Sequence, residues 1–240
     1  IVVAASAPTL YYYCSAHDLM GGQVNTNSTA GASNFDGDIQ STVRANQAAG
    51  FSIVQFEGSG TAGDSIGHGL SAAPELIFFK NIDNSTGYSW RTFTTAIDGS
   101  LDRLFLNGAN TKADQTGASV PDNSVFYVAS NLDHNNLNDT IIAYCFTSVA
   151  GYSAFGSYKG NDSTDGTFVH TGFRPKFIII KSFSHEVDWV MFDTERSTYN
   201  VISDTLYPNL LDQEYSANAM IDILSNGFKL RDTYTNINAS

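Results

Sequence analysis

The hydrophobic pattern of the chain consists of short apolar runs that are separated by polar, glycine-rich clusters. Turn residues recur at spacings of roughly 8 to 15 residues, which is typical of antiparallel sandwiches and jelly rolls. The runs ELIFFK (75–80) and KFIIIK (176–181) are apolar at every inner position, which predicts central strands covered on both faces. The pattern therefore predicts an all-β fold.

The same pattern occurs twice, with a period close to one hundred residues. Segment 50–80 resembles segment 151–181, and RLFLNG (103–108) resembles TLYPNL (205–210). Matching pairs are Phe51 with Tyr152, Gly58 with Gly160, His68 with His170, Lys80 with Lys181, and Trp90 with Trp189. Residues 124–131 match 227–236 in the same way. Two duplicated antiparallel β-sandwich units that are jelly-roll-like follow from this repetition.

The repetition divides the chain into four segments. We predict an N-terminal strand and loop at 1–22, a linker plus short helix at 23–49, a first repeat at 50–150 and a second at 151–240. The helix is placed at 38–49, where Ile39 and Val43 are four residues apart and Gly50 provides a stop. A second short helix is an option at 209–224. The first repeat ends in the apolar run 139–151, and the second lacks such a closing strand. We expect either that this strand lies downstream of the given sequence or that another segment completes the sheet.

Charge narrows the range of partners. The chain carries 24 acidic against 12 basic side chains, a net charge of −12, which repels nucleic-acid phosphates and anionic membranes. No apolar run approaches the roughly 20 residues that a membrane-spanning helix requires. We therefore expect neither nucleic acid nor membrane as a partner.

Several sequence blocks resemble a module of virion proteins from marine tailed bacteriophages. The blocks are G-F/Y-S at 50–52 and 151–153, G-H-G-L at 67–70, A-P-x-L-I-x-x-K at 73–80, A-Y-C-F at 143–146, F-V-H-T-G-F-R-P at 168–175, R-S-x-Y-N at 196–200 and L-Y-P-N-L at 206–210. The resemblance covers about residues 23–240. It implies a non-enzymatic structural protein on the virion, tail-fibre-like, that contributes to assembly and host attachment.

The same resemblance implies partners. A fibre protein is expected to assemble with itself, most simply as a trimer, and with other virion proteins. An unpaired sheet edge in the second repeat would be covered by a strand from a neighbour or by the N-terminal segment TLYYYC (9–14).

A second, local resemblance concerns the start of the chain. The segment C-x-x-H-x-x-M-G-G, with Cys14, His17 and Met20, resembles the ligand loop of cupredoxins, in which thiolate, imidazole and thioether bind copper. A cupredoxin needs a second histidine, and His134 or His185 would have to supply it. The alternative is an ordinary loop with a buried thiol. We favour this metal-free interpretation and expect no cofactor.

Other candidate residues have structural explanations that we prefer. His68 and His170 recur beside glycine and are expected to hydrogen-bond the backbone of a turn, while Trp90 and Trp189 are expected in the cores. The segment NDSTDG (161–166) has calcium-loop spacing but lacks the bidentate glutamate, so a plain hairpin loop is the better interpretation.

Two functions besides a purely structural role remain open. One is a lectin-like module, in which exposed aromatic rings stack on sugar rings of a host-surface glycan and short polar side chains bind hydroxyls. The other is the copper redox protein. The sequence has no P-loop or H-E-x-x-H motif, which favours a protein that is not an enzyme.

Overall fold

The computed structural model of the chain describes residues 10–13, 21–24, 31–83 and 87–240, with the first two ranges and residues 217 and 218 as backbone only. Its strands are β1 Leu10–Tyr13, β2 Gly21–Val24, β3 Ala32–Asn34, β4 Ser41–Asn46, β5 Phe51–Glu57, β6 Ser65–Gly67, β7 Leu76–Asn81, β8 Arg91–Thr94, β9 Asp102–Phe105, β10 Ala113–Asp114, β11 Val125–Tyr127, β12 Thr140–Phe146, β13 Phe168–His170, β14 Phe177–Ile180, β15 Val190–Asp193, β16 Ile202–Thr205, β17 Tyr215–Leu224 and β18 Gly227–Leu230. The helices are α1 Leu132–Asn135 and α2 Thr235–Asn238, and a 3₁₀ turn covers Gln47–Ala49. The all-β sandwich with short helices is confirmed.

The first repeat is built on an eight-stranded antiparallel sheet. Its strand order is β10-β9-β8-β7-β12-β5-β4-β3, so β12 lies between β7 and β5 although it is the last of these strands along the chain. Alternate residues of β12 (Ile141, Ala143 and Cys145) are fully buried, as a central strand requires. Strands β6 and β11 form a second, two-stranded layer.

Aromatic rings fill the space between these layers. Phe79 of β7 packs edge-on against Phe93 at 5.0 Å and against Phe126 of β11 at 5.5 Å between ring centroids. All three side chains are buried, and rings in this geometry contribute beyond their buried area. This cluster joins the two layers of the first repeat.

The second repeat copies the register of the first. Phe177 of β14 pairs with Asp193 of β15, as Leu76 of β7 pairs with Thr94 of β8. The equivalence extends along both strand pairs, and β13 pairs with β18 as β6 pairs with β11. The two segments are therefore structural duplicates at this level.

The two repeats differ in the strands that lie beside the matched pairs β7–β8 and β14–β15. Residues 152–158, which match β5 in sequence, form no strand, and β14 has only β15 as a strand neighbour among the described residues. Strands β13, β18, β17 and β16 make a separate four-stranded sheet in that order. The expectation that the second repeat lacks a closing strand agrees with the described part of the chain.

A buried asparagine fastens the helix of each repeat to the start of that repeat. In the first, Asn135 of α1 accepts a hydrogen bond from Ser59 N–H (2.9 Å) and donates to Thr61 O (2.8 Å) and Ala129 O (3.2 Å). One side chain thereby satisfies three backbone groups that would otherwise be buried without partners.

The second repeat uses Asn238 of α2 in the same way. Its Oδ1 accepts from Asn161 N–H (3.0 Å), and its Nδ2 donates to Ser163 O (2.8 Å) and Asp232 O (2.8 Å). Both asparagines are fully buried. The matched glycine that precedes each clamped segment is required because a Cβ there would overlap the helix backbone.

Three predictions about local structure are wrong. Residues 41–46, which were predicted to be helical, form β4, because Ser41 and Val43 alternate into the core and pair with β5. The 3₁₀ turn and the left-handed Gly50 (φ 62°) are the parts of the segment that agree with the predicted helix and its stop. The segment 209–224 contains β17 instead of a helix. The linker interpretation of 23–49 fails at β3 and β4, which belong to the sheet of the first repeat.

No helix among the described residues is both long enough and apolar enough to span a bilayer.

Candidate functional site

An open cleft of about 490 Å³ lies on the second repeat, between the loop that precedes β15, the segment joining β16 to β17, and the residues before α2. Its lining residues are Asp188, Tyr207, Leu210, Asp212, Gln213, Glu214, Tyr215, Met220 and Tyr234. Three aromatic rings and four acidic or amide side chains thus share one concave surface. Concave sites with a few convergent polar groups are the usual places for small ligands.

Two asparagines hold the wall of the cleft at Asp188. Asn209 accepts a hydrogen bond from Trp189 N–H (3.0 Å) and donates to the Asp188 carboxylate (2.7 Å). Asn236, buried in α2, donates to Asp188 O (3.1 Å). The backbone and the side chain of Asp188 are therefore fixed from two directions, so this carboxylate is preorganised.

The tyrosines provide both rings and hydroxyls. The Tyr207 and Tyr234 hydroxyls lie 3.4 Å apart, and both rings pack against the core of the second repeat. Burial, reinforced by the contact with Tyr234, raises the pKa of Tyr207 further above the neutral range, in which a tyrosine hydroxyl is already a donor. Met220 is buried beneath them, whereas Tyr215 is 45% exposed at the start of β17.

The cleft is acidic. Asp212 and Glu214 lie on its exposed side with Gln213 between them. Arg196 binds Glu214 and Asp193, and the Lys181 ammonium interacts electrostatically with Asp188. The three acidic residues of the cleft thus outnumber these two cations, and Arg196 is shared with Asp193 outside the cleft. The local potential repels anionic ligands and suits neutral hydroxyl-rich ones.

The equivalent place in the first repeat is built differently. Phe105 takes the position of Tyr207, and the Arg91 guanidinium lies over the Phe105 ring at 4.6 Å from its centroid. Arg91 also binds Asp133 (2.8 Å), which occupies the position of Asn236. Since Val190 replaces Arg91 in the second repeat, the cation is lost there and the aromatic wall becomes available.

The two matched histidines have different environments. His68 is fully buried; its Nε2 lies 3.0 Å from Asp122 O, and its Nδ1 accepts from Leu70 N–H (3.1 Å). The predicted turn-fixing role is therefore confirmed for His68. It is wrong for His170, which is exposed on β13 beside Phe168.

The two tryptophans also differ. Trp189 is buried, and its Nε1 donates to Phe105 O (2.8 Å), which links the second repeat to the first. Trp90 is only half-buried and stacks on Tyr144 at 6.2 Å, so its predicted core position is wrong. Their backbone positions nevertheless match, because Asn107 caps Trp90 N–H as Asn209 caps Trp189 N–H.

The copper-ligand candidates Cys14, His17 and Met20 lie outside the described residues. Of the two histidines considered as a fourth ligand, His134 is fully buried between Phe79 and Phe93. The structure gathers no group of three or more histidine, cysteine or acidic side chains around a cation-sized space in the part of the chain that it describes.

His185 and the calcium-like segment are held by neighbouring side chains. His185 Nδ1 lies within 3.3 Å of Ser182 Oγ and 3.1 Å of Ser184 Oγ. In segment 161–166 the polar groups bond to one another, and Asp165 pairs with Lys229 at 2.7 Å. The segment is thus an ordinary polar loop, but the hairpin interpretation is wrong, because residues 152–158 form no strand and β13, which follows the loop, pairs with β18.

Sequence reasoning did not single out the tyrosines of the cleft. Tyr207, Tyr215 and Tyr234 lie on three separate segments that meet only through the pairing of β16, β17 and β18. One signal was available: the matched pair of segments 103–108 and 205–210 replaces Phe105 by Tyr207, which adds a hydroxyl at a duplicated position.

Comparisons with known proteins identify the family of the chain. No curated protein and no solved structure matches the chain significantly. A family model described as a domain of unknown function, DUF7483, matches residues 25–240, which include both repeats and the whole cleft. The chain therefore belongs to the DUF7483 family.

Proposed function

We propose that this chain is a non-enzymatic structural module of a bacteriophage virion, part of a surface appendage, that contributes to host attachment by binding a neutral saccharide. The observation that carries the attachment role is the cleft at Tyr207, Tyr215 and Tyr234. The virion context is supported by the sequence resemblance over about residues 23–240.

The chemistry of the cleft suits a sugar. Aromatic rings offer apolar faces to the C–H faces of a pyranose, while Asp188, Asp212 and Gln213 offer acceptors and donors to its hydroxyls. The fixed carboxylate of Asp188 lowers the entropic cost of binding because it is already oriented. The acidic rim disfavours sialylated, sulfated and phosphorylated glycans.

An attachment role also agrees with the way in which the carboxylates of the cleft are bonded. Asp188 is bonded by Asn209, and Glu214 is paired with Arg196, so neither carboxylate is arranged as a free acid or base facing the other. These contacts fix the shape of the cleft instead. A particle-surface protein that binds through many copies gains avidity even when each site is weak.

The proposal is tested by a glycan array followed by calorimetry with the full chain. Neutral polysaccharide fragments should bind, and Tyr215→Ala should weaken binding up to about tenfold, since a stacked ring contributes about 0.5–1.5 kcal/mol. Tyr199→Ala is the matched control, because Tyr199 is 85% exposed and lies outside the cleft.

Either of two results would overturn the glycan role: an absence of binding across neutral and acidic panels, or equal losses in the Tyr215 and Tyr199 variants. The virion role is tested separately with an antibody to the chain. Labelling of an appendage on purified particles supports that role, and particles that lack the chain by mass spectrometry refute it.

A further inference from the structure

The outer edge of β14 is an unpaired strand in the part of the chain that the structure describes. Thr194 N–H bonds Lys176 O (3.0 Å), so the alternation of an antiparallel pair directs the backbone groups of Ile178 and Ile180 toward β15. The N–H groups of Phe177 and Ile179 then point away from β15. No hydrogen bond from these two groups is present among the described residues.

The corresponding edge in the first repeat is occupied. There, β12 pairs with β7 over six residue pairs, from Ile141 opposite Asn81 to Phe146 opposite Leu76. Because β7–β8 and β14–β15 share one register, the β12 position can be transferred to the second repeat residue by residue. A strand docked there would lie opposite Phe177–Ser182.

The exposed apolar side chains of β14 favour a partner strand that covers this edge. Phe177 is 58% exposed, and Ile179 is half-buried on an otherwise apolar strand. Long apolar edges invite strand addition, and soluble proteins usually protect them with charges or prolines within the strand. Here the run from 177 to 180 is F-I-I-I, and lysines stand only at its two ends.

The chain itself contains a strand that resembles β12. The segment TLYYYC (9–14) repeats the T-x-x-x-Y-C spacing of TIIAYC (140–145). Its residues Leu10–Tyr13 form β1, whose one strand partner in the part of the chain that the structure describes is β2. One edge of β1 therefore remains available for a further strand.

We infer that β1 of a second copy of this chain adds to the open edge of β14 in the register that β12 adopts on β7. Tyr12 then lies opposite Ile180, and Tyr13 lies opposite Ile179. Each copy gives one strand and accepts one, a condition that a closed oligomer satisfies, either a pair that exchanges strands reciprocally or a larger ring. The second sandwich is completed by its neighbour, which makes assembly part of its folding.

The first experiment measures association of the full chain by sedimentation. The chain should form a closed oligomer, and Ile179→Pro should weaken association about tenfold or more, because proline removes the N–H that faces the incoming strand without removing a bond to β15. Ile179→Val is the matched control and should associate normally. A chain that stays monomeric at all concentrations, or an Ile179→Pro variant that associates normally, would overturn the inference.

The second experiment identifies the occupant by disulfide trapping. In a Cys14→Ser background, Tyr12→Cys with Ile180→Cys should give disulfide-linked oligomers, since residues opposite each other in a non-hydrogen-bonded pair are close enough to bridge. Tyr12→Cys with Ile178→Cys, displaced by two residues, should not cross-link. A cross-link within a single chain, or none in an oligomer that sedimentation confirms, refutes docking from a second copy.

Discussion

The two repeats place the same strand pair in two different surroundings. In the first, β7 lies in the interior of an eight-stranded sheet, with β12 on one side and β8 on the other. In the second, β14 keeps the register toward β15 but has no partner on its other side within the described residues. The pairing of β7 with β8 and of β14 with β15 is therefore specified by the short apolar run and its turn. The strand on the other side of the pair comes from a distant segment of the chain.

The same comparison explains why the cleft lies on the second repeat. The Arg91–Asp133 pair of the first repeat is enclosed at a site that Val190 and Asn236 occupy in the second. Replacing a buried ion pair by a neutral arrangement is often tolerated, because desolvation offsets much of the attraction between the charges. Duplication thus left one copy with a structural ion pair and the other with an aromatic surface.

The largest test of this comparison uses two phenylalanines at equivalent positions, Phe93 of β8 and Phe192 of β15, both of which are buried. Truncation to alanine should cost about 3–5 kcal/mol at each site. The Phe93→Ala loss should be the greater, because the first sheet is closed and cannot relax into the void. Urea denaturation measures both losses, and a greater loss at Phe192 would contradict this view of the open edge.

An intermediate effect is expected at Asn135 and Asn238, the two buried asparagines that fasten the helix of each repeat and that we call the asparagine clamps. Asn135→Ala and Asn238→Ala should each lower the free energy of unfolding by about 2 kcal/mol, because each leaves buried backbone groups without partners. We expect the two losses to agree within about 0.5 kcal/mol. Asn123→Ala, at an exposed position, is the control. Unequal losses, measured by the same denaturation, would show that the clamps are duplicated in geometry but not in energy.

The smallest expected effect depends on pH. His134 is buried where Ile237 lies in the second repeat, and burial, with the nearby Arg91 charge, lowers the pKa of His134 from 6.5 to about 3. Between these pH values the unfolded chain binds a proton that the folded chain excludes. The contribution of this residue to stability therefore falls by about 1.4 kcal/mol per pH unit below pH 6.5.

The control for this pH effect is His134→Ile, which places the residue of the second repeat at this position. Its free energy of unfolding should decline less between pH 7 and pH 5.5 than that of the unaltered chain. Denaturation curves at the two pH values give this difference. Equal slopes would mean that His134 is not excluded from protonation in the fold.

Sequence patterns predicted the strand content because alternation and turn residues act locally. They failed at 38–49, where the spacing of Ile39 and Val43 fits a helix but Ser41 and Val43 also alternate inward as a strand. Pairing with β5 decided the outcome, and a single sequence carries no direct record of that pairing. Tertiary contacts commonly override weak propensities of this kind.

The clamps and the cleft were less accessible to prediction for the same reason. Asn135 reaches Ser59 across 76 residues, and Tyr207 reaches Tyr234 across 27. Neither spacing is periodic, so neither gives a pattern along the chain. The repeat alignment located Asn209 and Lys181 at matched positions, but only the structure shows that Asn209 fixes Asp188.

The central position of β12 has a consequence for synthesis on the ribosome. Until residue 146 leaves the exit tunnel, the strand pair β4–β5 and the strands β7, β8 and β9 cannot join into one sheet, because among the described strands β12 alone bonds to both groups. The facing edges of β5 and β7 stay open for that interval. Translation speed through this region thus governs how long the nascent chain can pair with the wrong neighbour.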